Sequence, residues 1–302
     1  MADKKIFVGG EFLITDAGPE QVFTPEDFSE EHRMIYETTR DFVSKEILPI
    51  LHKVDAMDQE TALGILAKAG ELGLIATTVV TEATGKTASF TAIYGAHTGI
   101  GTLPIVYFGN EDQKTKYLPK LASGEWCGAY ALTEPDAGSD ALNARTKAVL
   151  SEDGKHYILN GLKMFVTNGG WANSFIVYAK VDGEQFTGFI VERDFPGVST
   201  GPEEKKMGMH GSSTCSLILE DAKVPVENVL FEIGKGHKIA FNVLNLGRWK
   251  LGAATVGGCK ACVTDAVKYA NTRIQFKVPI SSFGMIKTKL ANMAIYTYVS
   301  ES

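Results

Sequence analysis

Long apolar runs are missing from this 302-residue chain. No stretch reaches the roughly 20 residues that a membrane-spanning helix needs. The opening MADKKIFVGGEFLI carries two lysines but no apolar segment followed by a small-residue cleavage site. With neither a signal nor a transit peptide visible, the expected location is cytoplasmic. Cysteine is scarce, with four residues: Cys127, Cys215, Cys259 and Cys262. The last two form a CxxC pair, but no second pair completes a zinc site. Their setting, AATVGGCKACVTDAV, reads as a small-residue helix, so packing is the expected role. The histidines, His97 included, form no metal-like constellation. A basic excess is also absent, since 36 acidic residues face 30 basic ones for a net charge of -6. That balance excludes a nucleic-acid footprint, which needs a basic stripe. There is no internal repeat and no low-complexity segment.

What is present is ordinary globular composition, 44% hydrophobic and 22% charged, in a chain long enough to bury a large core without staples. The texture changes twice. Residues 24–121 read as mostly helical. Thr24-Pro25-Glu26-Asp27 offers a capping hydroxyl, a first-turn proline and early acids. Phe28, Met34, Ile35, Thr38, Phe42, Val43 and Ile47 then recur at helical spacing until Pro49. A second helix is expected over Gln59–Leu72, stopping at Gly73, and a third over Asp112–Leu121. From Trp126 to about Val229 the chain is strand-like. VLSEDGKHYIL places an Asp153-Gly154 turn between two strands, and SFIVYAKV, FTGFIVER and STCSLILEDAKV are rich in β-branched and aromatic residues. A compact β barrel or sandwich is expected. Helical texture returns after Gly236, and MIKTKLANMAIYTYVSES reads as an amphipathic helix.

Three stretches stand out chemically. Ala129-Tyr-Ala-Leu-Thr-Glu-Pro-Asp-Ala-Gly-Ser-Asp140 ends a strand in a turn that can aim backbone N–H groups and two hydroxyls at a polar ligand, though an ordinary strand-to-loop corner has the same composition. Lys163-Met-Phe-Val-Thr-Asn-Gly-Gly170 places an aromatic, a hydroxyl and two glycines at a strand end. Glycine admits a close ligand and Phe165 can wall a planar ring, while a hairpin turn with a buried aromatic reads the same way. In Asn271-Thr-Arg-Ile-Gln-Phe276, Arg273 is either a solvated surface charge or a phosphate partner.

Each signal is weak alone, but their order and spacing are not. ALTEPDAGSD, then KxFVTNGG, then TRxQF resembles the acyl-CoA dehydrogenase family. GAHTGIG, YLPKLASGEW, KMGMHGSST, VPVENVL, GKGHKIAFNVLNLGR and FGMIKTKLANMA extend the likeness through nearly the whole chain. GPEEKKMG and LNLGR are most similar to the very-long-chain branch. The resemblance implies an α+β architecture: an N-terminal extension over 1–23, an N-terminal helical domain over 24–125, a middle β domain over 126–235, and over 236–302 the start of a C-terminal four-helix-bundle domain. It implies FAD as cofactor and α,β-dehydrogenation of a fatty acyl-CoA thioester. In that chemistry a glutamate removes a Cα proton, a hydride leaves Cβ for the flavin, and electrons pass to an electron-transferring flavoprotein.

By matching motifs, Tyr130, Leu132 and Thr133 are expected to line the flavin ring. Gly138 and Ser139 are expected to cradle FAD phosphates or the substrate's pantetheine. Phe165, Val166 and Thr167 are expected to cover the ring's other flank. Arg273, Gln275 and Phe276 are expected to reach the FAD of a neighbouring subunit, which implies a homodimer or homotetramer. Leu244, Asn245 and Arg248 are expected to line the CoA site.

The chain also departs from the pattern. The family's glutamate base is expected beyond Ser302, and Glu301 is not it by position. Leu72–Val80 looks shortened. Phe231 and Lys277 stand where the family often has glycine. An acyl-CoA oxidase is a rival reading of the same fold, and a non-catalytic assembly or scaffold protein is a rival of another class.

Overall fold

The computed structural model describes residues 24–74 and 78–302. The expected N-terminal extension over 1–23 lies outside them, as do residues 75–77 in the middle of the segment that looked shortened.

The helical start forms in two steps. Pro25–Asp27 make a single 3-10 turn, in which the Thr24 N–H donates to the Asp27 carboxylate at 2.9 Å. The first helix proper, α1 (Glu30–Phe42), begins after Ser29, whose hydroxyl accepts the His32 N–H. It winds through a wider turn at Val43–Ile47 and a 3-10 turn at Leu48–Ile50 into α2 (Leu51–Asp55). Pro49 falls in that second turn, where its missing N–H and ring bend the path without ending it. Helices α3 (Gln59–Glu71), α4 (Thr78–Thr84), α5 (Ser89–Gly95), α6 (Leu103–Phe108) and α7 (Glu111–Ala122) follow. Gly73 closes α3 at φ +66°, a conformation that costs glycine nothing. Phe42, Val43, Ile47, Val54, Ile65, Leu66, Phe90, Ile93 and Tyr94 bury one another, each large side chain contributing roughly 1.5–3 kcal/mol.

Eight strands make one sheet: β1 (Gly128–Ala131), β2 (Lys147–Leu150), β3 (His156–Thr167), β4 (Ser174–Val181), β5 (Gln185–Glu192), β6 (Val198–Thr200), β7 (Thr214–Pro225) and β8 (Val229–Leu230). Their order is β6-β7-β3-β2-β4-β5-β8, with β1 branching onto β4. The β4 and β5 runs are buried on both faces, which is why they read as near-continuous apolar stretches.

The chain then forms α8 (Gly236–Thr272), about 55 Å long at 1.5 Å per residue. A small hairpin, β9 (Ile274–Gln275) with β10 (Val278–Pro279), turns it into α9 (Gly284–Glu301). The start of α8 is buried on the sheet through Ile239, Ala240 and Val243, which cluster with Tyr130, Ile176, Tyr178 and Ile190. Its middle lies against α4, where Gly257 brings it to the Glu82 carbonyl. Among the described residues no helix is long and apolar enough to cross a membrane.

Candidate active site

The site begins with a gap in hydrogen bonding. Strand β4 carries two partners along one edge. β1 takes Ser174–Val177, and β2 takes Lys180 and Val181. Tyr178 and Ala179 lie between, and over that interval the chain leaves the sheet as the loop 132–146. The ALTEPDAGSD stretch is this departure.

One carboxylate holds the loop. Glu134 is buried and accepts the Lys163 ammonium at 2.6 Å, the Thr146 N–H at 3.1 Å, the Arg145 N–H and the Thr146 hydroxyl. Lys163 is fully buried beside it. Burial alone would push the Glu134 carboxyl up. The Lys163 charge and these hydrogen bonds together outweigh it and hold the group below the ordinary carboxylate range. The Glu134 and Ala137 main chains exchange hydrogen bonds across the turn tip. Beyond it Gly138 is open, since a Cβ there would meet nothing within 4 Å. Gly138, Ser139 and Asp140 are exposed.

A β-bulge makes the second half of the corner. On β3 the register against β7 jumps from Lys163 opposite Leu217 to Val166 opposite Cys215, which leaves one extra residue on β3. Phe165 takes the strain at φ +57° and is turned outward, 59% exposed. The Met164 N–H donates to the Thr133 carbonyl at 2.8 Å. That bond sets the two motifs side by side, so the partly exposed Thr133 and Thr167 and the Phe165 ring belong to one corner.

Three expectations change here. The Tyr130 ring points inward, edge-on to Tyr178 with centroids 5.4 Å apart, so it reaches the corner only through its main chain. Val166 is part of the sheet core and likewise offers only its backbone. Gly169 and Gly170 serve internal packing and not ligand approach. A Cβ on Gly169 would come within 2.7 Å of Cys215 Sγ, and one on Gly170 would collide with Glu203. Glu203 in turn accepts the Ser213 hydroxyl at 2.6 Å and the Thr214 N–H at 2.7 Å, which fixes this end of the loop.

Leu132 and Leu244 pack on one apolar cluster, which brings the β corner and the start of α8 together. Asn245 and Arg248 lie on the exposed side of α8, joined by a 2.8 Å hydrogen bond. Arg273, Gln275 and Phe276 lie elsewhere. They cap the far end of α8, where Phe276 is 88% exposed. Thirty residues separate Arg273 from Val243, about 45 Å along the axis, so these side chains do not join their own chain's corner. Glu301 is engaged with Lys260 at 2.6 Å, beside Glu82. Sequence reasoning missed Glu134 and Lys163 as a pair. Twenty-nine residues separate them, and only the tertiary fold brings them together.

Among the described residues, no group of three or more His, Cys, Asp or Glu side chains could hold a metal. Cys127 and Cys215 are buried, and Cys259 and Cys262 are exposed and free.

Comparison with known proteins gives three profile matches. The acyl-CoA dehydrogenase middle-domain profile matches residues 129–222, the C-terminal-domain profile residues 234–302, and the N-terminal-domain profile residues 29–92 and 75–125. A probable acyl-CoA dehydrogenase of Bacillus subtilis is 52% identical over 310 residues, covering 97% of this chain and 52% of its own length. The mitochondrial very long-chain specific acyl-CoA dehydrogenase of Macaca fascicularis is 49% identical over 217 residues, covering 69% of this chain and 33% of its own. An acyl-CoA dehydrogenase of Bacillus anthracis, solved complexed with FAD, superposes with a TM-score of 0.94 at 54% identity, covering 97% of this chain and 53% of its own. Butyryl-CoA dehydrogenase of Megasphaera elsdenii superposes at 0.84 with 34% identity, covering 90% of this chain and 76% of its own. The chain thus spans about half the length of the first two Bacillus relatives and belongs to the acyl-CoA dehydrogenase family.

Proposed function

We propose that this chain takes part in FAD-dependent α,β-dehydrogenation of a fatty acyl-CoA thioester to the trans-2-enoyl-CoA, with electrons passed on to an electron-transferring flavoprotein. The observation that carries the reading is the Met164 N–H to Thr133 carbonyl bond. It juxtaposes an outward aromatic, two hydroxyl residues and an open glycine turn at one corner.

The residues present fit an isoalloxazine. Phe165 offers a flat apolar wall, strained out of its strand for no packing benefit visible at that position. The Gly138 and Ser139 N–H groups form no hydrogen bond to another described residue, which leaves donors free for an anionic ligand. FAD, when bound, supplies the acceptor for the hydride lost from Cβ. The chain's own part is placement. Thr133 and Thr167 orient the planar ligand, and Leu132 and Leu244 exclude water beneath it. Asn245 and Arg248 take the CoA end from solvent, where a guanidinium suits phosphate. Arg273 serves the pyrophosphate of a neighbouring copy in a homodimer or homotetramer, because its distance rules out its own corner. No residue of this chain is assigned as the base that takes the Cα proton.

The test is reconstitution with FAD followed by anaerobic addition of palmitoyl-CoA. The expected result is a yellow protein whose flavin bleaches, with slow peroxide formation in air. Protein that stays colourless after soaking, with no quenching of flavin fluorescence, would sink the reading. Rapid peroxide formation would reassign it to an oxidase.

A further inference from the structure

The β corner uses the start of α8, and the far half of that helix carries a separate feature. Where α8 passes α4 and α1, a cleft of about 460 Å³ opens. Gly257, Ala261, Thr264 and Lys268 line it at i, i+4, i+7 and i+11, which is one stripe of α8. Tyr36 and Arg40, one turn apart, face it from α1. Lys86 faces it from the 3-10 turn Gly85–Thr87 that follows α4. Small residues make the floor, because a Cβ on Gly257 would collide with the Glu82 carbonyl. Gly257 to Lys268 lie about 21–38 Å beyond Val243 along the helix axis, so the cleft is distinct from the corner.

The charges around this cleft are unevenly paired. Lys260 is engaged by two carboxylates, Glu82 and Glu301, each at 2.6 Å, and its ammonium lies 5.6 Å from the Tyr36 ring centroid. Arg40, Lys86 and Lys268 are exposed, and their side chains form no ion pair or hydrogen bond with another described residue. Asp265 is the one carboxylate of the walls without such a partner among the described residues. Three free cations from three separate elements thus share one cleft with a single free carboxylate, in a chain whose net charge is -6. Such a gathering is mutually repulsive until an anion lies between its members.

We propose that this cleft binds a diphosphate group, free or as part of a nucleotide, and that the bound anion ties α1 and the 85–87 turn to α8. A carboxylate would meet only one of the three cations. A diphosphate carries several charges, and its oxygens are spread over two phosphorus centres, so it reaches donors set on different walls. The Arg40 guanidinium suits two of those oxygens at once, and the two ammonium groups act as point charges. The volume falls within the range of small-molecule sites.

The experiment is calorimetric titration of the chain with inorganic pyrophosphate, with ADP and, at matched ionic strength, with sulfate, before and after loading with FAD. Pyrophosphate is expected to bind one-to-one and to raise the melting temperature, with sulfate far weaker. Arg40→Gln, Lys86→Gln and Lys268→Gln should each weaken pyrophosphate by about tenfold or more, while the ligand-free melting temperature stays where it was. Asp265→Asn should act in the opposite direction and tighten it severalfold. Tighter binding of ADP than of pyrophosphate supports the site and names a nucleotide as its source, with Tyr36 walling the base. Equal or weaker binding of ADP supports it with free pyrophosphate as the source. Sulfate that binds as tightly as pyrophosphate, affinities that the three glutamine variants leave unchanged, or binding that FAD loading abolishes would each overturn the proposal. So would the absence of both heat and melting shift at millimolar pyrophosphate.

Discussion

The sheet and the α8–α9 hairpin satisfy their residues in opposite ways. At the β corner every buried charge has a local partner. Glu134 meets Lys163, Thr146 and Arg145 within one sheet, and the aromatics interlock as Tyr130 on Tyr178 and Tyr178 on Phe186. Along α8 and α9 the large apolar side chains face outward instead: Leu251, Tyr269, Met285, Ile295, Tyr296 and Val299 are all exposed, and α9 buries none of its residues. The sheet thus specifies its own shape from its own contacts, whereas the helical hairpin presents residues suited to further contact. Substitutions in the first region should cost stability, and those in the second should cost association and ligand retention.

The largest effect belongs to Glu134→Gln. It leaves the Lys163 ammonium buried without its charge partner, a loss of about 3–5 kcal/mol, read as a fall in the denaturant midpoint. Flavin should be lost with it, because the loop that carries Thr133 and Ser139 hangs on that carboxylate. Replacing the pair together, as Glu134→Leu with Lys163→Met, should restore part of the stability but not the loop, whose Arg145 and Thr146 N–H groups stay unpaired. The wild-type pair also sets an acid limit. Glu134 lies below its ordinary value in the fold, so its contribution is fully present above the unfolded carboxylate value. It is lost as pH falls through the lower folded one. Unfolding monitored from neutral to acid pH should show that loss in wild type and not in Glu134→Gln.

Arg273→Ala sharpens the contrast from the other side. The guanidinium is exposed and makes no hydrogen bond to another described residue, so subunit stability should move by less than about 0.5 kcal/mol. Flavin affinity should fall by about 2 kcal/mol, since a phosphate loses its fork of donors. Gel filtration, melting and flavin content separate these. Unchanged flavin content at unchanged oligomer size would remove Arg273 from the site.

The sequence was legible where local chemistry decides. Periodicity located the helices and the left-handed stop at Gly73 is a near-neighbour effect, whereas the Thr24 signal opens only a 3-10 turn and α1 is capped by Ser29. The β region was legible from its β-branched runs. The first two motifs pointed to stretches that the fold sets side by side, but not to the way they are held, and the third lies at the far end of α8. The bulge at Phe165 depends on a register against β7 some fifty residues on, and the Glu134–Lys163 pair on a branch in the sheet. Patterns of one strand do not carry such long-range pairings. The inward ring of Tyr130 and the packing of the glycine pair were not legible for the same reason, because what faces inward at a corner depends on strands not adjacent in sequence.

Two of the departures from the family pattern were legible in advance and give the smallest effect. Phe231 and Lys277 stand where the family often has glycine, and both adopt left-handed backbone, at φ +67° and +66°. A side chain there costs roughly 1 kcal/mol. At Phe231 the ring returns part of that by meeting Phe108 edge-on at 5.5 Å, so Phe231→Gly should change stability little. Lys277 makes no such contact. It follows Phe276, itself at φ +49°, in the two-residue turn between β9 and β10, and glycine is the residue such a turn favours. Lys277→Gly should therefore raise stability by about 0.5–1 kcal/mol, small but opposite in sign to the sheet variants. It should also tighten the hairpin that carries Gln275 and Phe276. If the substitution destabilises the protein, the hairpin is held by contacts from outside the chain rather than by its own turn, and the contrast between the two regions would be sharper than their internal contacts suggest.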